Sequence, residues 1–304
     1  MGELYLLSAT RILERTMPVM TRRLLVYGVI TLGWILAILM GAGTFFGLAS
    51  FGDNPGFWGQ MGAFLGLGAS AYAIYRARQW LFYHCKLPHL AAMVRKICNL
   101  ELPPGKAQLP YLQELIQPLF PNLQETLAYY RKIHQVVTEA IIKHSNLSKK
   151  INALPKPIAQ TLQQGLPYLL FGYYDQAILA FAFKEGRLSA CREGASVFVA
   201  NQKAVLTFSI ILLTFLSAFF LIAFWLFLKV VLWVDTAVPA DFGIWNVIFA
   251  LILSGWIKAA FLDPIITTAT TMKLFDLAEK QKLSQEVMEK LSQEYPSLSA
   301  LEND

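Results

Sequence analysis

The chain has 304 residues, 56% hydrophobic and 15% charged, with a formal net charge of +6. Soluble chains carry about 25% charged residues, so the deficit excludes an ordinary soluble globular protein. The basic surplus does not call for nucleic acid, because the sidedness of a membrane protein accounts for it.

Residues 1–23 read as an amphipathic N-terminal helix. Leu6, Ile12, Leu13 and Met17 are set among Arg11, Glu14 and Arg15. The segment either lies on the inner membrane surface or extends the first span. Charged residues are then absent from Leu24 to Gly52, from Asn54 to Tyr75 and from Ala204 to Leu228, and Lys258 alone interrupts Phe242 to Leu262. A span takes about 20 mostly apolar residues. Four crossing helices in two hairpins are therefore expected, at 24–83 and 204–272. The first run is too long for a signal peptide and has no small-residue cleavage site after it.

The first hairpin is rich in small residues. Gly43 and Gly47 are one helical turn apart, and Gly62, Gly66 and Ser70 continue such a stripe on the second span. This spacing lets helix backbones approach closely. It serves either packing within the chain or the interface of a homo-oligomer.

Residues 84–203 form the segment between the hairpins, expected to be a basic helical cytoplasmic domain. From Arg76 to Lys203 there are sixteen basic and seven acidic residues. Pro103-Pro104-Gly105 breaks the segment early, and 122–149 reads as a long helix with Leu123, Leu127, Tyr130, Ile133, Val137 and Ile141 on one stripe. Pro155 and Pro157 mark the next break. The apolar stretch 165–183 resembles a span, but Pro167, Gly172 and Asp175 interrupt it and both flanks are basic. A buried or membrane-surface helix is expected there.

Charged groups inside a membrane are costly and mark function by default. Lys258 and Asp263, followed by Pro264, stand near the end of the last run. At about 1.5 Å per residue, Asp263 falls about 30 Å along that helix, at the interface rather than the midplane. The trio is either an interfacial anchor with a kink or the lining of a vestibule. The tail, 273–304, is amphipathic through Leu277, Leu283, Val287, Met288 and Leu291, with Pro296 as its expected end.

Basic residues flank the runs on one side: Arg22 and Arg23, Arg76 and Arg78, Lys184 and Lys203, Lys273 and Lys280. The short turns carry Asp53, Asp235 and Asp241 instead, with Lys229 at the edge of the second. The charge rule predicts both termini and the central segment in the cytoplasm. Trp58, Trp233 and Trp245 near the outer ends and Trp80 near an inner end fit an interfacial belt.

Cys85, Cys98 and Cys191 have no zinc spacing, and His84, His89, His134 and His144 form no ligand pair on one helical face. No phosphate loop, dinucleotide fingerprint or nucleophile elbow occurs. No catalytic residue, cofactor or metal is predicted.

The stretch from Ala177 to Leu206, AILAFAFKEGRLSACREGASVFVANQKAVL, carries an aliphatic run, a turn, a small-residue helix and an asparagine before the next span. Ser189, Ala190, Arg192 and Asn201 mark the pattern. Over residues 177–275 this resembles the C-terminal hairpin of choline transporter-like proteins. The resemblance implies transport of a small cation or solute, and transfers no substrate-contacting residue. The expected protein is all-α and polytopic, with the lipid bilayer, further copies of itself and a cytoplasmic protein as partners. It acts as a transporter or channel, or as a non-transporting scaffold whose basic domain binds anionic lipid or protein.

Overall fold

A computed structural model describes residues 5–144, 171–237 and 242–301. The described residues are helical throughout, with no strand among them. The helices are α1 (Leu6–Arg15), α2 (Met17–Ala49), α3 (Pro55–Leu81), α4 (Leu87–Ile97), α5 (Gln108–Ile116), α6 (Leu123–His144), α7 (Tyr174–Glu185), α8 (Ala190–Ala200), α9 (Gln202–Ala237), α10 (Ile244–Ile257), α11 (Asp263–Lys280) and α12 (Gln285–Glu294). Two π-helical turns, Phe82–Lys86 and Lys258–Leu262, join α3 to α4 and α10 to α11.

Three helical segments are long and apolar enough to cross a membrane: Met17–Ala49, Gln202–Ala237 and Ile244–Lys280. Four were expected. The second of the four, α3, has the length at 27 residues but not the apolarity, because Gly56, Gly59, Gly62, Gly66 and Gly68 and the polar rims of Tyr72 and Tyr75 dilute its hydrophobic side chains. The outward face of α2 supports a bilayer as its solvent. Leu25, Val29, Leu32, Leu36 and Met40 are all exposed, a stripe too large for a surface that meets water.

The described residues divide into two compact units. A helical unit comprises those of Met1–Val19, Lys86–Ser217 and Asp263–Asp304, and a hairpin unit those of Met20–Cys85 and Ala218–Leu262.

In the helical unit α7 is the central element. It packs against α8, α11, α4 and α6. Tyr174, Asp175 and every residue from Ala177 to Phe183 are buried, which accounts for the apolar run in the sequence. The described part of the 165–183 stretch is thus enclosed by helices of its own unit, while 165–170 lie outside the described residues, as do the Pro155 and Pro157 break and Asp241. Gly186, at φ +70°, ends α7 in the left-handed region that favours glycine. Asn122 caps α6 by accepting the Glu125 N–H at 2.9 Å. The tail helix α12 ends at Glu294, just before Pro296. Residues Pro296–Leu301 form a 3-10 turn that buries Leu298 and Leu301 against α6 and α8.

In the hairpin unit, Ile38, Ala63, Val231, Trp245, Phe249 and Ile252 form the core. Glycine brings α2 and α3 together. A Cβ on Gly62 would overlap the Gly41 carbonyl and come within 2.8 Å of the Phe45 Cβ, and one on Gly66 would overlap the Ala37 carbonyl. Asn54, left-handed at φ 58°, and Pro55 in the first turn start α3.

The chain repeats one local construction. Thr16 breaks α1 from α2 with φ −111° and ψ 23°, and Asn201 breaks α8 from α9 with φ −113° and ψ 26°. Trp80 and Pro88 bracket the first π turn in the same register as Trp256 and Pro264 bracket the second. Proline lacks the N–H and crowds the carbonyl four residues back. That carbonyl belongs to His84 or Ala260, inside the π turn in each case. The widened turn lets the helix continue, so Pro264 does not end the last apolar helix as a span terminus would.

Candidate functional site

The first polar cluster is in the hairpin unit, at the N-terminal end of its α2 segment. Arg23 is 3% exposed. Its Nε donates to the Ala259 carbonyl in the second π turn at 2.9 Å, and its guanidinium lies 5.5 Å from the Tyr27 ring centroid. Trp256 Nε1 donates to the Leu24 carbonyl at 3.2 Å. Gly28 permits that approach, since a Cβ there would already be in contact with the Trp256 indole at 3.5 Å. A π turn displaces carbonyls from the regular ladder, and Arg23 takes up one of them. No carboxylate lies within ion-pair distance of Arg23 among the described residues.

Tyr27 and Ala259 also line an open groove of about 360 Å³ that runs between α2, α3 and α10. Its walls are apolar, built from Ile30, Trp34, Ile74, Leu251 and Gly255 among others. The Trp34 indole N–H is buried without a hydrogen-bond partner. Polar groups recur at the opposite end of the unit. Asp235 accepts from the Phe242 N–H at 3.0 Å and from Asn246 Nδ2 at 2.7 Å. Between these two ends the buried core is built from hydrophobic side chains, with the Thr31 and Ser254 hydroxyls as buried polar groups among them.

The helical unit holds a second polar set. Asp175 is buried, and its Oδ2 is 2.7 Å from His134 Nδ1, while Oδ1 takes no hydrogen bond. The Asp175 hydrogen bond holds the His134 imidazole above its ordinary range. Burial pushes the Asp175 carboxyl up, with the His134 contact opposing. Tyr173 donates to Asp263 Oδ1 at 2.7 Å. Thr267, Thr268, Thr270 and Thr271 are buried on α11, and the Pro264 carbonyl accepts from Thr268 Oγ1 at 2.8 Å.

The trio singled out in the last apolar run is divided between the units. Lys258 opens the π turn of the hairpin unit, and Asp263 and Pro264 begin α11 of the helical unit. Of the small-residue face, Gly62 and Gly66 pack within the chain and Ser70 donates to the Gly66 carbonyl, whereas Gly43 and Gly47 face open space. Of Ser189, Ala190, Arg192 and Asn201, the last two hold the tail. Arg192 Nη2 donates to Ser292 Oγ at 3.1 Å, and Asn201 Nδ2 to Gln281 Oε1 at 2.7 Å. Ser189 precedes α8, and Ala190 is buried at its start. Reasoning from sequence missed Gly41, the partner of Gly62. It took Arg23 for a sidedness marker and did not pair Asp175 with His134.

Cys85 and Cys191 are buried and Cys98 is half-buried, all three as free thiols. Among the described residues no three His, Cys, Asp or Glu side chains are grouped to hold a metal. No family model matches the chain, and no match is found among curated proteins or solved structures.

Proposed function

We propose that the protein is a membrane-anchored scaffold whose helical unit performs the work on the cytoplasmic side, by binding a protein partner or anionic lipid. The apolar core of the hairpin unit carries this reading. Ile38, Ala63, Val231, Trp245, Phe249 and Ile252 fill its interior, the buried Ser254 hydroxyl donates to the Ala250 carbonyl of its own helix, and Arg23, Asp235 and Asn246 lie at the ends. Ions and hydrophilic solutes need polar groups along their path, and between its ends the buried core of this unit offers, among the described residues, only the Thr31 and Ser254 hydroxyls and the Trp34 indole N–H, with no buried charge.

In this reading α3 is a fourth crossing helix, paired with α2 through Gly41, Gly62 and Gly66. Glycine contact within the chain substitutes for the side-chain apolarity that α3 lacks. Both termini face the cytoplasm, in keeping with the basic flanks and acidic turns. Membrane-impermeant thiol labelling of single cysteines placed at Asp53 and at Arg187 tests the orientation. The reading requires opposite accessibility in sealed cells.

Transport is the second reading. It is favoured by the likeness of residues 177–275 to choline transporter-like proteins and by the open stripe of Gly43 and Gly47, which fits a contact between copies. A path would then run between subunits. Flux of choline or inorganic cations into proteoliposomes at high protein density decides between the two. A tight bilayer supports the scaffold, and saturable flux overturns it.

A further inference from the structure

We propose that the groove between α2, α3 and α10 is a binding site for one anionic phospholipid, its phosphate held by Arg23 and a length of acyl chain lying along Tyr27, Trp34, Ile74 and Leu251. The site stands whether the protein is a scaffold or a transporter.

Three observations converge on it. Arg23 is 3% exposed, and the described carboxylates leave it without an ion pair. A buried cation whose charge is not balanced is strongly unfavourable. The Ala259 carbonyl and the Tyr27 ring offer partial negative charge but no compensating anion. Secondly, Arg23 engages Nε alone in a hydrogen bond. A guanidinium carries five N–H donors in a planar fork suited to phosphate. Thirdly, Tyr27 and Ala259, the two groups that hold the guanidinium, are lining residues of the groove. The cation thus stands at one end of an open apolar channel. A free phosphate would use the first two features and leave the channel unused. A phospholipid uses all three.

Gly255 supplies an independent handle. It lines the groove, and a Cβ placed on it meets nothing within 4 Å. Gly255→Leu therefore fills the channel without replacing Arg23.

The test uses the full chain in phosphatidylcholine vesicles containing a minor fraction of phosphatidylglycerol, with bromine on the acyl chains of one lipid or the other. Trp34 and Trp256 line the groove, so a brominated lipid bound there quenches them beyond the level set by bulk composition. The expected result is excess quenching by brominated phosphatidylglycerol, with a preference of roughly fivefold from the one arginine engaged. Arg23→Gln lowers that preference, Arg23→Lys retains most of it and so shows that the fold is intact, and Gly255→Leu abolishes the excess quenching while the chain stays folded. Equal quenching by the two lipids in the native chain overturns the proposal. So does an excess that survives Gly255→Leu, since that outcome places the anion on the surface without a chain in the groove.

Discussion

His134→Ala is expected to open the helical unit. Asp175 is 3% exposed at its side chain and His134 45%. Removing the imidazole leaves a buried carboxylate oxygen without its 2.7 Å partner. An unsatisfied buried acceptor costs about 1–3 kcal/mol. The lower half of that range applies, because His134 is half exposed and water enters where it stood. Tyr130 also continues to hydrogen-bond the carboxyl. The expected loss is therefore about 1–2 kcal/mol, a five- to thirtyfold rise in the open population at about 1.4 kcal/mol per decade.

Cys191 measures that population. It is fully buried in the helical unit, and burial pushes its thiol up to about 12, so it reacts when the unit opens. All seven tryptophans lie in the hairpin unit and report separately on it. With Cys85→Ala and Cys98→Ser in place, the labelling rate of Cys191 is divided by that of the unfolded chain at the same pH. The pH dependence has a definite sign. The folded His134 is raised above 6.5, so its contribution is complete below pH 6.5 and is lost as pH rises through the folded value. The folded Asp175 is raised above 3.8, and its contribution likewise falls as pH rises from there. Protection of Cys191 is therefore expected to weaken from acid to alkaline pH. Asp175→Asn keeps an acceptor for His134 and removes the buried charge, so the slope flattens. Unchanged labelling in His134→Ala, or an undiminished slope in Asp175→Asn, refutes the reasoning.

The glycines of the first hairpin separate by function. Gly62→Leu must push α2 and α3 apart at the Gly41 carbonyl, with an expected cost of at least about 1–3 kcal/mol and a lower thermal midpoint read by tryptophan emission. Gly43→Ala and Gly47→Ala meet open space and leave that midpoint unchanged or raise it, each by up to about 1 kcal/mol through helix propensity; destabilisation there would place both at a contact. Asp235→Ala removes the partner of the Asn246 side-chain amide, which is in a residue 4% exposed, and is expected to cost about 1–3 kcal/mol. The double variant Asp235→Ala with Asn246→Leu recovers most of that loss, and failure to recover it places the cost elsewhere than in the orphaned amide.

The sequence by itself determined that the chain is helical and made for a bilayer, because uncharged runs of that length leave their backbone no hydrogen-bonding solution in lipid but the helix. Composition also located the runs that form the long apolar helical segments Met17–Ala49, Gln202–Ala237 and Ile244–Lys280. Tertiary structure decided what composition alone leaves ambiguous. The apolar stretch around Asp175 is covered by α4, α6, α8 and α11, and hydropathy cannot tell burial by protein from burial by lipid. Gly62 and Gly66 touch α2 while Gly43 and Gly47 do not, because the crossing of two helices selects which members of a small-residue stripe meet. Pro264 lies in a helix that runs on past it, because a π turn absorbs its missing N–H. Arg23 differs from the other basic residues at the span ends only in what folds over it. The charge pattern groups it with those residues, and only the fold sets it between the Ala259 carbonyl and the Tyr27 ring, beside a groove that both line.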